Sequence, residues 1–168
     1  FPIINNYTYC FAGDGDLMEG VAQEACSIAG AYNLKRFILL YDCNEVTIDG
    51  SVNLANRENI AKKFKAMGFN VITVKNGNNY SSCSAAIAKA KKSSKPTIII
   101  FHTTIGIGTE KEGTSAVHGH PMKKEELIAF KEKLGVKESF FIPNDVREFC
   151  MDTPINGKLS HEKWNQDL

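Results

Sequence analysis

The sequence lacks the features that mark several common classes of protein. Its five cysteines form no CxxC pair, so a structural zinc site on them is not expected. No GKT or GKS triplet occurs, which excludes a P-loop nucleotide site. The 20 basic and 19 acidic residues leave a net charge of +1, which gives no indication of nucleic acid as a partner. No apolar run predicts a membrane span, and no signal peptide is predicted.

The cysteines that are present predict a reducing environment. Cys10, Cys26 and Cys43 lie among apolar residues, and we expect them to be buried free thiols. Free thiols suit the cytosol, so a cytoplasmic protein is predicted. The chain begins without Met and enters a strand pattern almost at once, and we expect a segment of a longer polypeptide.

Strand and helix patterns alternate along the chain. Apolar runs predict strands at residues 7–12, 36–41, 70–74 and 97–103. Helical periodicity predicts helices at residues 17–32, 59–67, 81–92 and 123–134. This alternation favours an α/β fold with a doubly wound, mostly parallel sheet and helices on both faces. The first strand is apolar almost throughout and is expected to be central, buried on both faces.

Two segments carry more specific expectations. The first helix has an apolar face that includes Val21, Ile28 and Tyr32, while alanines keep its other faces small enough to pack closely on the sheet. After Gly135 the pattern weakens. Turn-favouring residues at 143, 154 and 156–157 predict an extended tail or linker, with a helix beginning only near residue 160.

The segment GDGDLMEG at residues 13–20 lies between the first strand and the first helix. Its glycines leave space for a phosphate beside a helix N-terminus, where N–H groups and the dipole favour an anion. The dinucleotide fingerprint would need a glycine where Met18 stands. Asp14 between Gly13 and Gly15 would repel a phosphate unless a cation lies between the two charges. An ordinary turn is the alternative at this point.

Asn44 follows thirty residues after Asp14, just past the second predicted strand. One carboxylate and one amide oxygen suit Mg²⁺ when phosphate and water oxygens complete its shell, and Ca²⁺ is an alternative with longer bonds. The backbone carbonyl of Val46 would supply a third protein oxygen. The glycine-rich segment at residues 106–121 follows another strand, and ligands of parallel sheets bind beyond the carboxyl ends of strands. A plain turn at Asn44 is the other interpretation.

Together these residues resemble a known cofactor motif. GDG followed by Asn after about thirty residues is similar to the thiamine diphosphate motif, and within that superfamily the chain resembles the transketolase family. The segments that carry the resemblance are GDGDLMEG (13–20), EACSIAG (24–30), DCNEVTIDG (42–50), KPT (95–97), TTIGIG (103–108) and VHGHP (117–121). The second histidine of the last segment, His120, departs from the family and receives no role.

The resemblance implies a set of ligands for the cofactor and its cation. Asp14, Asn44 and the carbonyl of Val46 would hold Mg²⁺ or Ca²⁺, and the Gly15 N–H would bind the diphosphate. The fold expected from the resemblance is the thiamine diphosphate-binding fold. Residues 1–135 would form the diphosphate-binding domain without its N-terminal part, and residues 136–168 an interdomain linker.

The resemblance also implies roles outside the cation site. Ile48 and Ile105 would pack against the rings of the cofactor, although plain core isoleucines are the simpler interpretation. His118 would contact the diphosphate or the bound sugar. Glu19 would lie in a carboxylate network at a dimer interface, or would only favour a helix N-terminus.

The implied activity is transfer of a two-carbon ketol group from a ketose phosphate to an aldose phosphate in the pentose phosphate pathway. The full-length protein would be a homodimer, and this segment alone would be inactive because an activating glutamate comes from another domain of the partner subunit. Dihydroxyacetone synthase and more distant thiamine diphosphate enzymes remain alternatives. A non-catalytic cofactor-binding domain and an unrelated metal-dependent phosphate-binding module are the candidates from other classes.

Overall fold

The computed structural model describes residues 5–136 and 140–168. It divides the chain into two units, Asn6–Met122 and a second unit that contains Lys123–Leu168. The first unit contains every residue of the predicted cofactor site. The expected end of the cofactor domain at residue 135 stays a prediction. Across the described part of the chain, we find no helix that could span a bilayer.

Four parallel strands form the main sheet of the first unit. In chain order they are β1 (Thr8–Gly13), β2 (Phe37–Cys43), β5 (Asn70–Val74) and β6 (Thr97–His102), with a short antiparallel pair, β3 (Val46–Thr47) and β4 (Gly50–Ser51), after β2. The spatial order is β1-β2-β6-β5, and every neighbouring pair is parallel. All four predicted strands are therefore confirmed, and their carboxyl ends meet at one edge.

Helices cover both faces of this sheet. They are α1 (Gly20–Ala31), α2 (Ile60–Ala66) and α3 (Tyr80–Ala90). Cys26 and Ala29 of α1 share one core cluster with Phe64 of α2, whereas Ala86 and Ala90 of α3 belong to the cluster on the other face. Alternate residues of β2 enter the two clusters, as the period of two in a strand requires. The predicted doubly wound α/β fold is confirmed.

Side-chain caps determine where two of these helices begin. The Asn59 Oδ1 accepts the N–H of Lys62 at 2.9 Å at the start of α2, and the Asn79 Oδ1 accepts the N–H of Ser82 at 2.8 Å at the start of α3. Asparagine at this position satisfies an N–H group that the helix itself leaves without a partner. The first helix is shorter than predicted, because residues Asp16–Met18 form a 3-10 turn before it.

Helix α1 packs through its small side chains and leaves its larger apolar ones outside. Cys26 and Ala29 are buried, whereas Val21, Ile28 and Tyr32 are exposed. Gly30 allows α1 to approach the C-terminal end of α2 closely, since a Cβ built on it would lie 1.7 Å from the carbonyl oxygen of Met67. The side of α1 that packs on the sheet therefore carries small side chains, and the face with the larger apolar residues points away from it.

The first strand differs from its prediction. β1 was expected at the centre of the sheet, but it is an edge strand that pairs only with β2 within the described residues. Phe11 is 82 % exposed and Cys10 is exposed too, so the expectation of a buried thiol is wrong at Cys10. A uniformly apolar run shows that both faces of a strand suit burial, but it does not determine the strand's place in the sheet.

The second unit contains α4 (Lys124–Lys133) and α5 (Asn144–Asp167), and none of their residues is buried. The prediction of an extended tail is wrong for residues 144–159, which are helical. They form one continuous helix, α5, with the residues after 160 that were expected to be helical. Pro154 lies inside this helix of 24 residues. Turn propensity is a local preference, and the rest of a long hydrogen-bonded helix outweighs it here. Part of the expected tail, residues 137–139, lies outside the described residues.

Candidate functional site

Asp14 is a buried carboxylate held by three hydrogen-bond donors. Its side chain is 6 % exposed and directly follows β1. The Tyr41 hydroxyl donates to Oδ1 at 2.5 Å, and the N–H groups of Asn44 and Glu45 donate to Oδ2 at 3.1 Å and 2.9 Å. All three donors lie at the end of β2 or just past it. The neighbouring strand therefore fixes the orientation of the Asp14 side chain.

The loop around Asp14 is stabilised by a hydrogen bond between its own residues and by one buried side chain. The Gly13 N–H donates to Oδ2 of Asp16 at 2.8 Å, and the 3-10 turn that follows is anchored in the core by Leu17. Gly15 lies between them and is exposed, and a Cβ built there would meet no atom within 4 Å. The backbone at Gly15 is therefore open to a ligand, close to the N-terminus of α1.

The Asn44 side chain is oriented at both ends of its amide. Its Nδ2 donates to Oδ2 of Asp42 at 3.1 Å, and its Oδ1 accepts the N–H of Val46 at 3.0 Å. The Thr103 hydroxyl, just past β6, donates to the other oxygen of Asp42. The amide oxygen of Asn44 thus faces the loop that leads to Val46, while its nitrogen faces Asp42.

Burial controls the protonation of the two other groups at the end of β2. Burial raises the pKa of the Tyr41 hydroxyl, and the hydrogen bond to Asp14 raises it further. Burial also raises the pKa of the Cys43 thiol, and a hydrogen bond with Tyr41 partly opposes this. The charges of Asp14 and Glu45 add to the raised pKa of Cys43. Tyr41 therefore remains a neutral hydroxyl that can donate to Asp14 at physiological pH.

The glycine-rich segment after β6 folds back to the same edge of the sheet. The Gly113 N–H donates to the Ile105 carbonyl at 2.8 Å, and Gly106, at φ 63°, is so close to Val117 that a Cβ would lie 2.8 Å from its side chain. A cavity of about 430 Å³ is lined by residues of this segment and of the loop past β2. These include Asn44, Val46, Ser51, Gly113, Thr114 and Ser115.

A larger cavity of about 610 Å³ is lined by Asp14 and Tyr41, together with residues at the start of α2 such as Arg57 and Asn59. It includes neither Asn44 nor Val46 among its lining residues. The smaller cavity joins two of the three predicted oxygen ligands, Asn44 and Val46, to the glycine-rich segment, whereas Asp14 lines the larger one. We therefore take the smaller cavity as the candidate site, because size alone does not identify chemistry.

Other predicted site residues surround this arrangement less closely. His118 is half-buried and ends the 3-10 turn Ser115–Val117, whose first residue lines the smaller cavity. Ile105 is half-buried just past β6. Ile48 is 70 % exposed in the turn between β3 and β4, and the exposed Glu19 is the N-cap residue of α1 without a side-chain cap bond. Hydrogen bonds therefore link Asp14, Asn44 and Val46, but none of those described links Ile48 or Glu19 to them.

The oxygen atoms of this site retain acceptor positions for a cation. A carboxylate offers about four acceptor positions, and Asp14 uses three of them; the Asn44 amide oxygen offers two and uses one. Among residues 5–136 and 140–168, no three or more His, Cys, Asp or Glu side chains form a group that could hold a metal ion. The unused acceptor positions on Asp14 and Asn44 fit a hard cation such as Mg²⁺, which takes few protein ligands and completes its shell with phosphate and water oxygens.

The whole chain matches a known family. The family described as "Transketolase, thiamine diphosphate binding domain" matches residues 1–168. The chain belongs to this transketolase family. The match confirms the resemblance seen in the GDG and DCN segments, and it identifies thiamine diphosphate as the cofactor of the family's domain.

Individual transketolases are similar over nearly the full chain. The transketolase of Bacillus subtilis (strain 168) is 42 % identical over 170 residues, which cover 98 % of this chain and 26 % of the relative. The crystal structure of the Campylobacter jejuni transketolase is 41 % identical with a TM-score of 0.89, covering 98 % of this chain and 26 % of that chain. A Pichia stipitis transketolase in complex with sedoheptulose 7-phosphate is 38 % identical with a TM-score of 0.89, covering 99 % and 25 %. The chain thus spans about a quarter of the transketolases that it matches.

Sequence reasoning did not single out Tyr41 and Asp42. Both belong to β2, which continues through Cys43 and is longer than predicted. Each had a signal: Tyr41 brings a hydroxyl into the otherwise apolar run 37–41, and Asp42 precedes Asn44 by two residues, the spacing that places side chains on the same side of an extended chain. The partners themselves, Asp14 and Thr103, depend on strand register and were not visible in the sequence.

Proposed function

We propose that this chain is the cofactor-binding part of an enzyme that transfers a two-carbon ketol group from a ketose phosphate to an aldose phosphate. The observation that carries the proposal is the contact between Asp14 and the backbone of Asn44 and Glu45, within a member of the transketolase family. A similar structure holds sedoheptulose 7-phosphate, which supports sugar phosphates as substrates and a place in the pentose phosphate pathway. The activity belongs to the full-length protein.

In this proposal the cation site consists of oxygen ligands from two neighbouring strand ends. Asp14 and Asn44 would supply side-chain oxygens and Val46 its backbone carbonyl, with Mg²⁺ or Ca²⁺ as the ion. The N–H of Gly15, an exposed residue at which an added Cβ would meet no atom within 4 Å, would donate to the diphosphate. Thiamine diphosphate, when bound, supplies the carbanion chemistry of the transfer. The chain's own contribution would be to hold the cation that neutralises the diphosphate and to orient the diphosphate.

Four other residues would act around this centre. His118, beside the smaller cavity, would donate a hydrogen bond to the diphosphate or to a sugar hydroxyl. Ile48 and Ile105 would pack on the cofactor rings, which gives the exposed side chain of Ile48 an apolar partner. Glu19 would lie in a carboxylate network at a dimer interface, next to the helix that carries the exposed apolar residues described above.

The partners in this proposal are the remainder of the same polypeptide and a second copy of it. Val21, Ile28 and Tyr32 expose an apolar strip along α1, with Tyr32 77 % exposed, and such a strip suits burial against a partner. The relatives are about four times as long as this chain, so the remainder of the polypeptide would be the larger partner. Five free thiols among the described residues support the cytoplasm as the compartment.

The experiment is a pair of measurements on the full-length protein. Calorimetric titration with thiamine diphosphate should show tight binding with Mg²⁺ present and little binding after chelation. With xylulose 5-phosphate as donor and ribose 5-phosphate as acceptor, ketol transfer should then be observed. Cation-independent binding would contradict the cation site. Cation-dependent binding without transfer would favour a non-catalytic domain, and activity only with a different acceptor would favour dihydroxyacetone synthase or another thiamine diphosphate enzyme.

A further inference from the structure

We infer that Tyr41 and Asp42, consecutive residues at the end of β2, are positioning residues that orient the two side-chain ligands of the cation. Tyr41 acts on Asp14, and Asp42 acts on Asn44. The inference rests on the proposed cation site and assigns a role to two residues that would not touch the ion. Neither residue would contact the cofactor or the substrate.

The Tyr41 hydroxyl holds one oxygen of Asp14 from within the core. Tyr41 is 3 % exposed, so its side chain is fixed by packing, and its hydrogen bond to Oδ1 of Asp14 is 2.5 Å long. The two backbone donors hold only Oδ2. Without the hydroxyl, the carboxylate would keep one anchored oxygen and could rotate about it. With the hydroxyl, its one remaining acceptor position points in a fixed direction before any ion arrives.

Asp42 determines which end of the Asn44 amide faces the site. An ionised carboxylate only accepts hydrogen bonds, so Asp42 requires the NH₂ of Asn44 to face it. The oxygen must then point away from Asp42, where it also accepts the N–H of Val46. A reversed amide would offer the cation two N–H donors instead of an oxygen. The Thr103 hydroxyl, just past β6, holds Asp42 in turn. Asp42, Val46 and Thr103 together therefore fix the orientation of the Asn44 amide.

The alternation of a β-strand lets consecutive residues serve two ligands. Tyr41 points into the core cluster beneath Asp14, and Asp42 is exposed on the opposite side of the strand, where Asn44 also lies. The register of β2 with β1 pairs Ala12 with Tyr41 and Gly13 with Asp42, which places Asp14 just beyond both. A shift of one residue in this register would turn Tyr41 to the other side of the sheet and separate it from Asp14.

The test measures cation affinity of the full-length protein rather than activity alone. Mn²⁺ is titrated into the protein in the presence of a fixed excess of thiamine diphosphate, with a protein-free titration as reference, and the free ion is followed by its paramagnetic resonance signal. Tyr41→Phe and Asp42→Ala should each bind Mn²⁺ roughly 10-fold more weakly, the lower end of the effect of losing a group that orients a metal ligand. Saturating Mn²⁺ should restore cofactor binding and turnover in both variants, since the ligands themselves are intact.

Matched substitutions separate positioning from other causes. Tyr7→Phe also removes a hydroxyl that donates a hydrogen bond, to the carbonyl of Lys91 at 2.8 Å, but at the other end of the sheet, so Mn²⁺ affinity should not change. Asp42→Asn removes the charge but keeps an oxygen that accepts from Asn44, while the Thr103 hydroxyl can turn to accept from the new NH₂. This variant should stay close to the wild-type affinity.

Each outcome supports or overturns the inference. If Asp14→Asn abolishes Mn²⁺ binding while Tyr41→Phe and Asp42→Ala bind as the wild type does, the cation site stands and the positioning role is wrong. If Asp14→Asn itself leaves Mn²⁺ binding unchanged, the proposed site is wrong. A loss in Asp42→Asn equal to that in Asp42→Ala would indicate charge instead of orientation. A lower melting temperature without Mn²⁺-dependent rescue would indicate a purely structural role, and Asp42, being exposed, allows this comparison even if Tyr41→Phe folds poorly.

Discussion

Replacing Asp14 by asparagine should separate the fold from cation binding, whereas replacing it by alanine should damage both. Asp14 accepts from the buried Tyr41 hydroxyl and from two partly buried N–H groups. In Asp14→Ala all three donors lose their partner. A stranded buried donor costs about 1–3 kcal/mol, and water reaches the two N–H groups in part, so we expect a loss of roughly 2–5 kcal/mol in the free energy of unfolding.

Asparagine can satisfy the same three donors. Its single oxygen can accept both N–H groups, and its NH₂ can donate to the Tyr41 hydroxyl, which turns to accept because a hydroxyl can do either. The bonds lose their charge assistance, but the protein no longer buries a carboxylate, and these two effects oppose each other. We therefore expect Asp14→Asn to unfold within about 1 kcal/mol of the wild type in the absence of cation.

The two variants should differ in stability and agree in binding. Urea unfolding without cation measures the first quantity, and calorimetric titration with thiamine diphosphate and Mg²⁺ measures the second. Both variants should lose cation-dependent binding, because the only carboxylate among the predicted protein ligands is gone. Equal stability of Asp14→Ala and Asp14→Asn would refute the hydrogen-bond argument, and retained cation-dependent binding in Asp14→Asn would refute the assignment of the ligand.

Three further predictions concern the packing, the thiols and the extent of the active unit. Gly30→Ala should destabilise the fold by about 1–3 kcal/mol in urea unfolding, because its Cβ would meet the backbone of Met67, whereas Gly20→Ala on the same helix meets nothing within 4 Å and should be nearly neutral. An equal loss at both positions would contradict the close approach. Burial raises the pKa of Cys26 and Cys43, so both should react with iodoacetamide more slowly in the native than in the urea-unfolded protein. In the native protein the rates should increase only at a pH above the ordinary thiol pKa of about 8.5. Equal rates in the two states would contradict their burial. A purified polypeptide of residues 1–168 should show no ketol transfer from xylulose 5-phosphate to ribose 5-phosphate, and measurable turnover would overturn the view that this part requires the rest of the protein.

Local patterns were sufficient to predict α2 and α3, whose ends are formed by residue types that favour helix termini. Asn59 and Asn79 begin helices as side-chain caps, and Gly68, at φ 90°, follows the end of α2. The same local reasoning was wrong for α5, where turn-favouring residues lie inside a long helix. Local propensities compete with the hydrogen bonding of a whole element, and their sum decides the outcome.

The sequence by itself determined the class of fold and the family, and it predicted a pair of oxygen ligands. Strand and helix periodicities record which faces can be buried, and an acid between two glycines, with an amide thirty residues later, is chemically restrictive wherever it occurs. Only the tertiary structure decided that β1 lies at the edge of the sheet, that α1 packs through its small side chains, and that Tyr41 and Asp42 hydrogen-bond with Asp14 and Asn44. The reason is that strand order, the Tyr41–Asp14 contact and the Thr103–Asp42 contact join residues far apart in the chain, and the register between parallel strands, which no local pattern encodes, brings them together.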